Sequence, residues 1–538
     1  MNVTSARRVD MAALRRLLGL AEPSPEWRRL AIAAIAAIAV LILTIAGADT
    51  EKLGSGGGRL FIVFAVIVGP LVAWLLVLRP WTGTLAWAVT MALLNAPRAQ
   101  WWFGPVQIIE STVFVAALIA GAWFERADRV ALSGGVPAPG SSARIRGSRP
   151  GMVAAGLIAA VLLSLIASPA PLPGIPIVLH GAIEPILVAF LVTALRPTHR
   201  QMLWLGGAIV LGLALASLYS VLRIGRIATT IAELEAVRVQ LAHFTFYNVG
   251  LYGIALSMAI PLAVAGLLHW KSIGLRRPAA IVLGGLLVVL LVGLYLTFSK
   301  SAWLATAFAI FVVVVARFRR PWQLAGLAVA TAIGLSLFVP YPIYLLRAVN
   351  VQLPATNPYV ELVTKMSGGR SSSWDVGSPE GEVSITERWR ATVAAGRMVV
   401  DHPLLGVGPG RFGDEYAGRY ADAGATRHLG APHNLLPEVA SELGLVAALL
   451  LLVGLLGAAW SAWRAARAPD PLLRTLGAGF GAALAGFVVV TATFGLDLYR
   501  DYRVMNSDVI MAALIVGACL ALVPLIRPRP PEASVGTE

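Results

Sequence analysis

Apolar runs of about 17 to 25 residues recur along the whole chain, and a run of this length crosses about 30 Å of hydrocarbon as an α-helix. The sequence is 58% hydrophobic and only 13% charged, whereas soluble globular chains are nearer one quarter charged. These features predict an all-α integral membrane protein with about 14 transmembrane helices. The expected spans lie near residues 30–48, 60–78, 82–96, 106–124, 152–168, 175–195, 202–222, 247–268, 281–298, 302–316, 322–341, 435–463, 475–496 and 508–526.

The distribution of basic residues predicts the orientation of the chain. The net charge is +15. If the N-terminus is cytoplasmic, the excess of Lys and Arg falls in the cytoplasmic segments, and the remaining segments are close to neutral. This is the positive-inside pattern of a membrane protein, and it argues against a nucleic-acid partner. It predicts that both termini are cytoplasmic and that the long polar region 342–432 is extracytoplasmic.

Five segments are therefore expected in the chain. A basic N-terminus is followed by a bundle of about 11 helices, a large extracytoplasmic loop with amphipathic helices, three C-terminal helices and a short tail. Their expected bounds are 1–29, 30–341, 342–432, 433–526 and 527–538. The single cysteine, Cys519, excludes an intramolecular disulfide, and no Cys/His cluster has the spacing of metal ligands.

One expected span contains two ionisable residues. His180 and Glu184 are four residues apart and so lie on one face of the helix expected at 175–195. A carboxyl group inside the membrane is costly and is therefore a candidate for function. The pair fits a protonated or hydrogen-bonded packing contact, and it also fits a proton relay in a transporter.

Basic residues also occur in the outer connectors. Arg223, Arg226 and Arg238 lie in the connector 223–246, whose apolar residues have near-helical spacing and predict an amphipathic helix on the outer membrane surface. Lys300 lies between two serines in a tight outer turn. Each of these cations can anchor the chain at lipid headgroups, or it can contact an anionic ligand.

The large loop is predicted to contain a long helix. Ser384 and Glu387 fit a capping box that starts this helix, and Pro403 stops it. Arg388 is placed in the first turn, from which it could point toward a cleft at the membrane. Beside Arg388 the helix carries an apolar stripe of Trp389, Val393, Gly396 and Val400.

A glycine-rich segment, residues 406–410, follows this helix and reads Gly-Val-Gly-Pro-Gly. The backbone N–H groups of such a segment can bind phosphate, but no GK[ST] follows it and no strand precedes it, so it is not a P-loop. Tight turns are the other use of these glycines, and their spacing favours it.

The polar region ends with Pro432-His433-Asn434, directly before the apolar run at 435–463. A histidine and an asparagine are thus placed where a membrane helix meets water. Glu438 and Glu442 follow in the outer turns of that helix, near the positive end of its dipole. A single histidine at such a boundary can be structural or can act as a base.

In four stretches the sequence resembles the O-antigen ligase and O-antigen polymerase superfamily of bacterial membrane glycosyltransferases. The resemblance extends over about residues 238–526, whereas residues 1–222 match only as a helical bundle. The four stretches are Arg238 with Phe246-Tyr247-Asn248; Phe298-Ser299-Lys300-Ser301-Ala302-Trp303-Leu304; Glu387-Arg388-Trp389 with Asp401-His402-Pro403-Leu404-Leu405-Gly406-Val407-Gly408-Pro409-Gly410; and His433-Asn434-Leu435-Leu436 with Glu442-Leu443-Gly444.

Two positions depart from the family pattern. Lys300 stands where the family usually has arginine, so the attraction to phosphate is kept and the bidentate geometry is lost. The approach to Asn248 lacks the usual Pro-Asn, and Arg223 and Arg226 are therefore alternatives to Arg238.

The resemblance implies a metal-independent, inverting glycosyltransferase without a cofactor, in the bacterial cytoplasmic membrane. Such an enzyme takes a glycan from a polyprenyl-diphosphate carrier, such as undecaprenyl diphosphate, and passes it on the outer face to a hydroxyl of a glycan, a lipid or a protein. Arg238, Lys300 and Arg388 would bind the diphosphate. His433 would be the general base, since the unperturbed pKa of histidine, about 6.5, suits proton abstraction near neutral pH. The expected supporting residues are Asn434, Glu442, Gly408, Gly410 and Asn248, of which Glu442 or Asn434 would orient His433 or line the acceptor groove.

Two alternatives remain open at this point. Within the family, the shared motifs do not distinguish a ligase, a polymerase and a protein oligosaccharyltransferase. From another class, His180 and Glu184 motivate a proton-coupled secondary transporter or a lipid-linked glycan flippase. The transporter predicts inverted repeats with broken helices, and the sequence shows no convincing pair.

Overall fold

The computed structural model describes residues 25–46, 56–94, 100–103, 106–132, 149–224, 249–297, 299–317, 379–421, 430–493 and 507–526. Helices dominate these residues. They are α1 Pro25–Ala46, α2 Gly56–Leu78, α3 Pro80–Leu94, α4 Glu110–Leu132, α5 Arg149–Ala167, α6 Pro171–Ala194, α7 His199–Ile224, α8 Val249–Leu268, α9 Arg277–Leu296, α10 Lys300–Arg317, α11 Pro379–Asp401, α12 Phe412–Glu415, α13 Leu435–Ala466, α14 Pro471–Thr493 and α15 Ser507–Ile526.

A short β-hairpin accompanies these helices. Strands β1 Gln100–Phe103 and β2 Val106–Ile109 pair antiparallel, with Trp101 opposite Ile108. The apolar run expected at 106–124 thus begins as a strand, in which β-branched residues are favoured. It becomes helical only at Glu110, so the helical fold class is confirmed with this small addition.

Nine helices in the described residues are long and apolar enough to cross a membrane. The nine stretches are Glu26–Ile45, Pro150–Ala167, Pro171–Ala194, His199–Leu222, Leu251–Leu268, Arg277–Leu296, Leu435–Ala466, Pro471–Ala492 and Asp508–Ile526, and two shorter apolar stretches are Ala65–Leu78 and Ser301–Ala316. The protein is therefore a multi-pass membrane protein. The run expected at 322–341 lies outside the described residues, so the total of 14 spans stays a prediction.

Small residues let the helices of the bundle approach closely. A Cβ on Gly212 of α7 would lie 2.3 Å from the carbonyl oxygen of Val89 in α3. A Cβ on Gly517 of α15 would lie 2.6 Å from the carbonyl oxygen of Ala189 in α6. Close backbone approach at small residues is typical of helix packing in membranes, where dispersion contacts drive association.

His180 and Glu184 are buried between α6 and α4. Glu184 Oε2 accepts a hydrogen bond of 2.6 Å from the Ser111 hydroxyl, and Oε1 accepts one of 2.7 Å from the Thr112 hydroxyl. His180 Nδ1 lies 2.9 Å from Glu184 Oε1, and the π-helical turn Leu179–Ile183 surrounds this histidine. The two hydrogen bonds of Glu184 join α6 to α4. They agree with the interpretation of this pair as a hydrogen-bonded packing contact inside the bundle.

Candidate active site

Helix α13 is interrupted near its beginning. Gly444 has φ 87° and breaks the helical backbone, and the next amide, that of Leu445, donates to the carbonyl oxygen of Pro403 at 2.8 Å. A Cβ at position 444 would lie 2.0 Å from the carbonyl oxygen of Leu404. Glycine is required here because the backbone of the polar loop lies directly against the break.

The glycine-rich segment forms tight turns. Gly406, Gly408 and Gly410 all have positive φ, at 67°, 107° and 72°, a region that side chains rarely adopt. A Cβ on Gly408 would lie 2.4 Å from Oγ of Ser168, the residue directly after α5. A Cβ on Gly410 would lie 2.2 Å from Ile177 Cδ1 in α6. The prediction of tight turns is confirmed, and the turns lie against the bundle.

Glu442 attaches this segment to α13. Its side chain is fully buried. Oε2 accepts a hydrogen bond of 2.8 Å from the Gly410 amide, and Oε1 accepts one of 2.9 Å from the Phe412 amide. The Gly408 amide donates at 3.0 Å to the backbone carbonyl of Glu442. The amides of Gly408 and Gly410 therefore bind Glu442, and orientation of His433 by Glu442 stays a prediction.

A serine of α5 joins the same junction. The Ser164 hydroxyl lies 2.7 Å from the carbonyl oxygen of Leu405 and 3.1 Å from that of Glu442. Sequence reasoning missed this residue. A hydroxyl within an apolar span indicates a hydrogen bond between helices, but nothing in the sequence identifies its partner.

Helix α11 packs on the residues that follow the glycine-rich segment. The apolar part of the buried face of α11 consists of alanines and one methionine. This face forms a core with one residue of the glycine-rich segment and with α12 and the π-helical turn Tyr416–Tyr420: Ala391, Ala394, Ala395, Met398, Val407, Phe412, Tyr416 and Tyr420. The Tyr420 hydroxyl donates to Asp401 Oδ2 at 2.7 Å and fixes the end of α11.

Two expectations for α11 are wrong. The helix begins at Pro379 and not at a Ser384 cap, because proline is well suited to the first turn of a helix. Glu387 therefore lies inside the helix, where it accepts a hydrogen bond from Arg390 at 2.8 Å, and Arg388 does not lie in the first turn. The alanines of α11 are the residues that pack on the protein, and the stripe that includes Trp389 lies on the opposite side of the helix.

One contact brings α11 to the segment that carries His433. The Thr392 hydroxyl is 2.9 Å from the carbonyl oxygen of Arg388 and 3.4 Å from that of Pro432. His433, the next residue, has the left-handed φ of 53°, which is uncommon for a residue other than glycine. Asn434 is the extended N-cap residue of α13, and its side chain makes no cap hydrogen bond. The Arg388 turn of α11 and the His433 segment are thus adjacent.

The remaining expected site residues are described only in part. Helix α9 ends at Leu296 and α10 begins at Lys300, which confirms the tight turn between them. The side chain of Lys300 and that of Arg223 lie outside the described residues. Residues 225–248, with Arg226, Arg238 and Asn248, lie outside them entirely. The convergence of Arg238 and Lys300 on His433 therefore stays a prediction.

The described part of the chain contains no group of three or more His, Cys, Asp or Glu side chains that could hold a metal ion.

Thr392 is the other contact residue that sequence reasoning missed. A threonine in a polar helix gives no indication in the sequence that it contacts a residue 40 positions away, here Pro432.

The fold and this junction define a multi-pass membrane protein whose candidate active site lies where a polar loop meets a broken membrane helix. Residues 285–452 match the family described as O-antigen ligase. The matched region contains α10, α11, the glycine-rich segment, His433 and the break at Gly444. The resemblance to the O-antigen ligase and O-antigen polymerase superfamily is therefore confirmed, and this family suggests a glycosyl-transfer enzyme. Among curated proteins no relative matches the chain.

Proposed function

We propose that the protein is a metal-independent, inverting glycosyltransferase. It would transfer a glycan from a polyprenyl-diphosphate carrier to an acceptor hydroxyl on the outer face of the bacterial cytoplasmic membrane. The observation that carries this proposal is the Thr392 contact with Pro432. Within the region that matches the O-antigen ligase family, this contact holds the Arg388 turn of α11 beside His433. The backbone turn that carries Arg388 and the segment that carries the candidate base thus lie side by side before α13, and the Arg388 side chain is proposed to supply a cation there.

The proposed reaction is a single displacement. The acceptor hydroxyl gives its proton to His433, and its oxygen forms a bond to the anomeric carbon of the donor glycan. The bond between that carbon and the diphosphate oxygen breaks, and polyprenyl diphosphate leaves with the bonding electrons. One displacement inverts the configuration of the anomeric carbon.

The departing diphosphate requires positive charge. Arg388, Lys300 and Arg238 are proposed to supply it, because fixed cations stabilise a developing anion more strongly where water is excluded than in bulk solvent. Asn434 and Asn248 are proposed to line the acceptor and donor positions. Glu442, Gly408 and Gly410 are proposed to support the site, since they connect the loop to α13.

The test uses the purified protein in nanodiscs with a polyprenyl-diphosphate-linked glycan. Loss of a general base typically costs about 10²- to 10⁴-fold in rate, so His433→Ala should abolish most turnover. His199→Ala is the matched control, because His199 begins α7 at the opposite end of the bundle. Normal turnover of the folded His433→Ala protein would refute the proposed base.

A second pair of variants tests the cations. Lys300→Ala and Arg388→Ala should raise KM for the donor and lower kcat, because the diphosphate carries more charge in the transition state. Lys271→Ala and Arg419→Ala are the controls, since Lys271 lies in the turn between α8 and α9 and Arg419 is an exposed loop residue. Addition of EDTA should leave turnover of the unaltered protein unchanged, and inhibition would favour a metal-dependent reaction.

The acceptor is tested by offering three substrates in parallel. Transfer to lipid A core would define a ligase, transfer to a second lipid-linked repeat would define a polymerase, and transfer to a protein hydroxyl would define an oligosaccharyltransferase. Anomeric analysis of the product tests inversion directly. A retained configuration would exclude the single displacement.

A further inference from the structure

Helix α11 has two apolar faces, and they lie on opposite sides of the helix. At 100° per residue, the buried alanines and the Trp389 stripe are about half a turn apart. Trp389 is 66% exposed and Val400 is 78% exposed. We call Trp389, Val393, Gly396 and Val400 the outer face of α11. Val393 is half-buried between them. A loop helix that exposes a tryptophan and a valine on a single side has a surface suited to an apolar partner.

The outer face continues into the chain that follows α11. Leu404 is 68% exposed, and its carbonyl oxygen lies against Gly444. The Leu445 amide donates to the carbonyl oxygen of Pro403 at 2.8 Å. Leu404 is therefore fixed beside the first residue of α13 that follows the break.

That residue begins a continuous apolar stripe on α13. The exposed side chains after the break recur every three or four residues, which places them on a single face: Leu445, Leu449, Val453, Leu456 and Trp460. Residues 445–466 are about 33 Å long at 1.5 Å per residue, which matches about 30 Å of hydrocarbon. The stripe is the surface that a spanning helix presents to acyl chains, and Leu445 lies at its end.

This length fixes the level of α11 relative to the membrane. If residues 445–466 fill the hydrocarbon, then Leu445 and the adjoining Leu404 lie at the boundary between acyl chains and headgroups. Helix α11 ends at Asp401, directly before this boundary. The outer face of α11 is thus continuous with a lipid-facing surface.

We infer that α11 is a membrane-surface helix, with its outer face in the boundary between headgroups and acyl chains of the extracytoplasmic leaflet. The occupant of this face is the phospholipid bilayer itself. Tryptophan is favoured at this depth because its ring is apolar and its N–H is polar. Arg397 is exposed and lies on one flank of the outer face, where it can reach lipid phosphates.

The inference has one consequence for catalysis, and this consequence rests on the proposed function. Arg388 and Thr392 lie on the other flank of α11, beside Pro432. A helix held at the headgroup level keeps Arg388 at the depth of lipid phosphates. The diphosphate of a membrane-bound donor lies at the same depth.

The experiment measures the environment of probes on the full chain in phospholipid nanodiscs without donor. Cys519 is buried and is the only cysteine of the sequence, so Cys519→Ala gives a background without thiols. An NBD fluorophore is attached to Val400→Cys and, independently, to Leu404→Cys. Ala417→Cys is the matched control, because Ala417 is an exposed residue of the same loop.

We expect blue-shifted NBD emission at positions 400 and 404. A spin label placed near the top of the lipid acyl chain should remove most of this emission, and iodide in the water should have little effect. The probe at position 417 should show the reverse pattern. Equal quenching of all three probes by iodide would overturn the inference. Protection of 400 and 404 from both quenchers would also overturn it, because a protein surface would then cover the outer face.

Discussion

The Glu442 carboxylate accepts a hydrogen bond of 2.8 Å from the backbone amide of Gly410, although 32 residues separate the two in the sequence. The other carboxylate oxygen binds the Phe412 amide at 2.9 Å. Both bonds connect the turns that support α11 with the helix that follows His433. One buried side chain thus adds two hydrogen bonds to the backbone bonds that hold the loop against α13.

Glu442→Gln should loosen the loop and slow transfer. The new amide keeps one acceptor oxygen and turns an NH₂ group toward a backbone N–H, so one of the two hydrogen bonds is lost. Leaving a buried N–H donor without its partner costs about 1–3 kcal/mol. We expect faster proteolysis of residues 379–421 and a lower kcat for glycan transfer. Glu415→Gln is the control in the same loop, because it removes a half-buried i,i+4 pair with Arg411, and an i,i+4 pair contributes about 0.3–0.5 kcal/mol. Equal cleavage rates in the two variants would contradict this role of Glu442.

Replacement of glycine by alanine should destabilise the protein at positions 444 and 408 and should have no effect at position 418. Gly444→Ala and Gly408→Ala place a Cβ 2.0 Å from Leu404 O and 2.4 Å from Ser168 Oγ. Their positive φ angles, 87° and 107°, add about 1–3 kcal/mol of strain each in a residue other than glycine. We expect a lower Tm and a lower yield of folded protein in a thermal-unfolding assay. Gly418→Ala, in the same loop, meets nothing within 4 Å and should unfold at the temperature of the unaltered protein. A normal Tm for Gly444→Ala would mean that the break in α13 is absent.

Thr392→Val should lower the rate of transfer about fivefold, since a neutral hydrogen bond contributes about 1 kcal/mol. The variant keeps the shape of the side chain and removes the hydroxyl that contacts Pro432. Steady-state kinetics with the lipid-linked donor measure the effect. The matched control is Thr475→Val, because the Thr475 hydroxyl bonds to Pro471 within its own helix, α14. Unchanged kinetics for Thr392→Val would show that the contact between α11 and the His433 segment does not affect the rate of transfer.

Glu184→Gln should reduce stability and leave transfer per folded molecule unchanged. The carboxylate accepts hydrogen bonds from Ser111 and Thr112, and loss of one of these buried bonds costs about 1–3 kcal/mol. Ser111→Ala should cause a similar loss of Tm. Proton-coupled flux that disappears in Glu184→Gln, with transfer absent from the unaltered protein, would instead favour the transporter.

The helical bundle was predictable because the signal is local. Every expected apolar run within the described residues contains a helix, since a membrane requires each segment to satisfy its own backbone hydrogen bonds. The tight turns of the glycine-rich segment were also predictable, because three glycines within five residues allow positive φ.

The faces of α11 were not predictable from the same reasoning. Hydropathy favours the stripe of Trp389 and Val400, whereas the residues that pack on the protein are mainly alanines. Small residues contribute little to an apolar pattern, but they allow close approach of aromatic side chains such as Phe412. The partners of Glu442 and Thr392 were likewise hidden, because both contacts join residues distant in sequence.

The junction between the loop and α13 has a consequence for redesign of the protein. Main-chain atoms of residues 403–412 make most of its hydrogen bonds, so few side chains of the loop are needed to hold it. Asp414, Ala417, Gly418 and Arg419 lie on the loop surface and are open to exchange. Substitutions at these four positions should leave the scaffold that carries His433 intact.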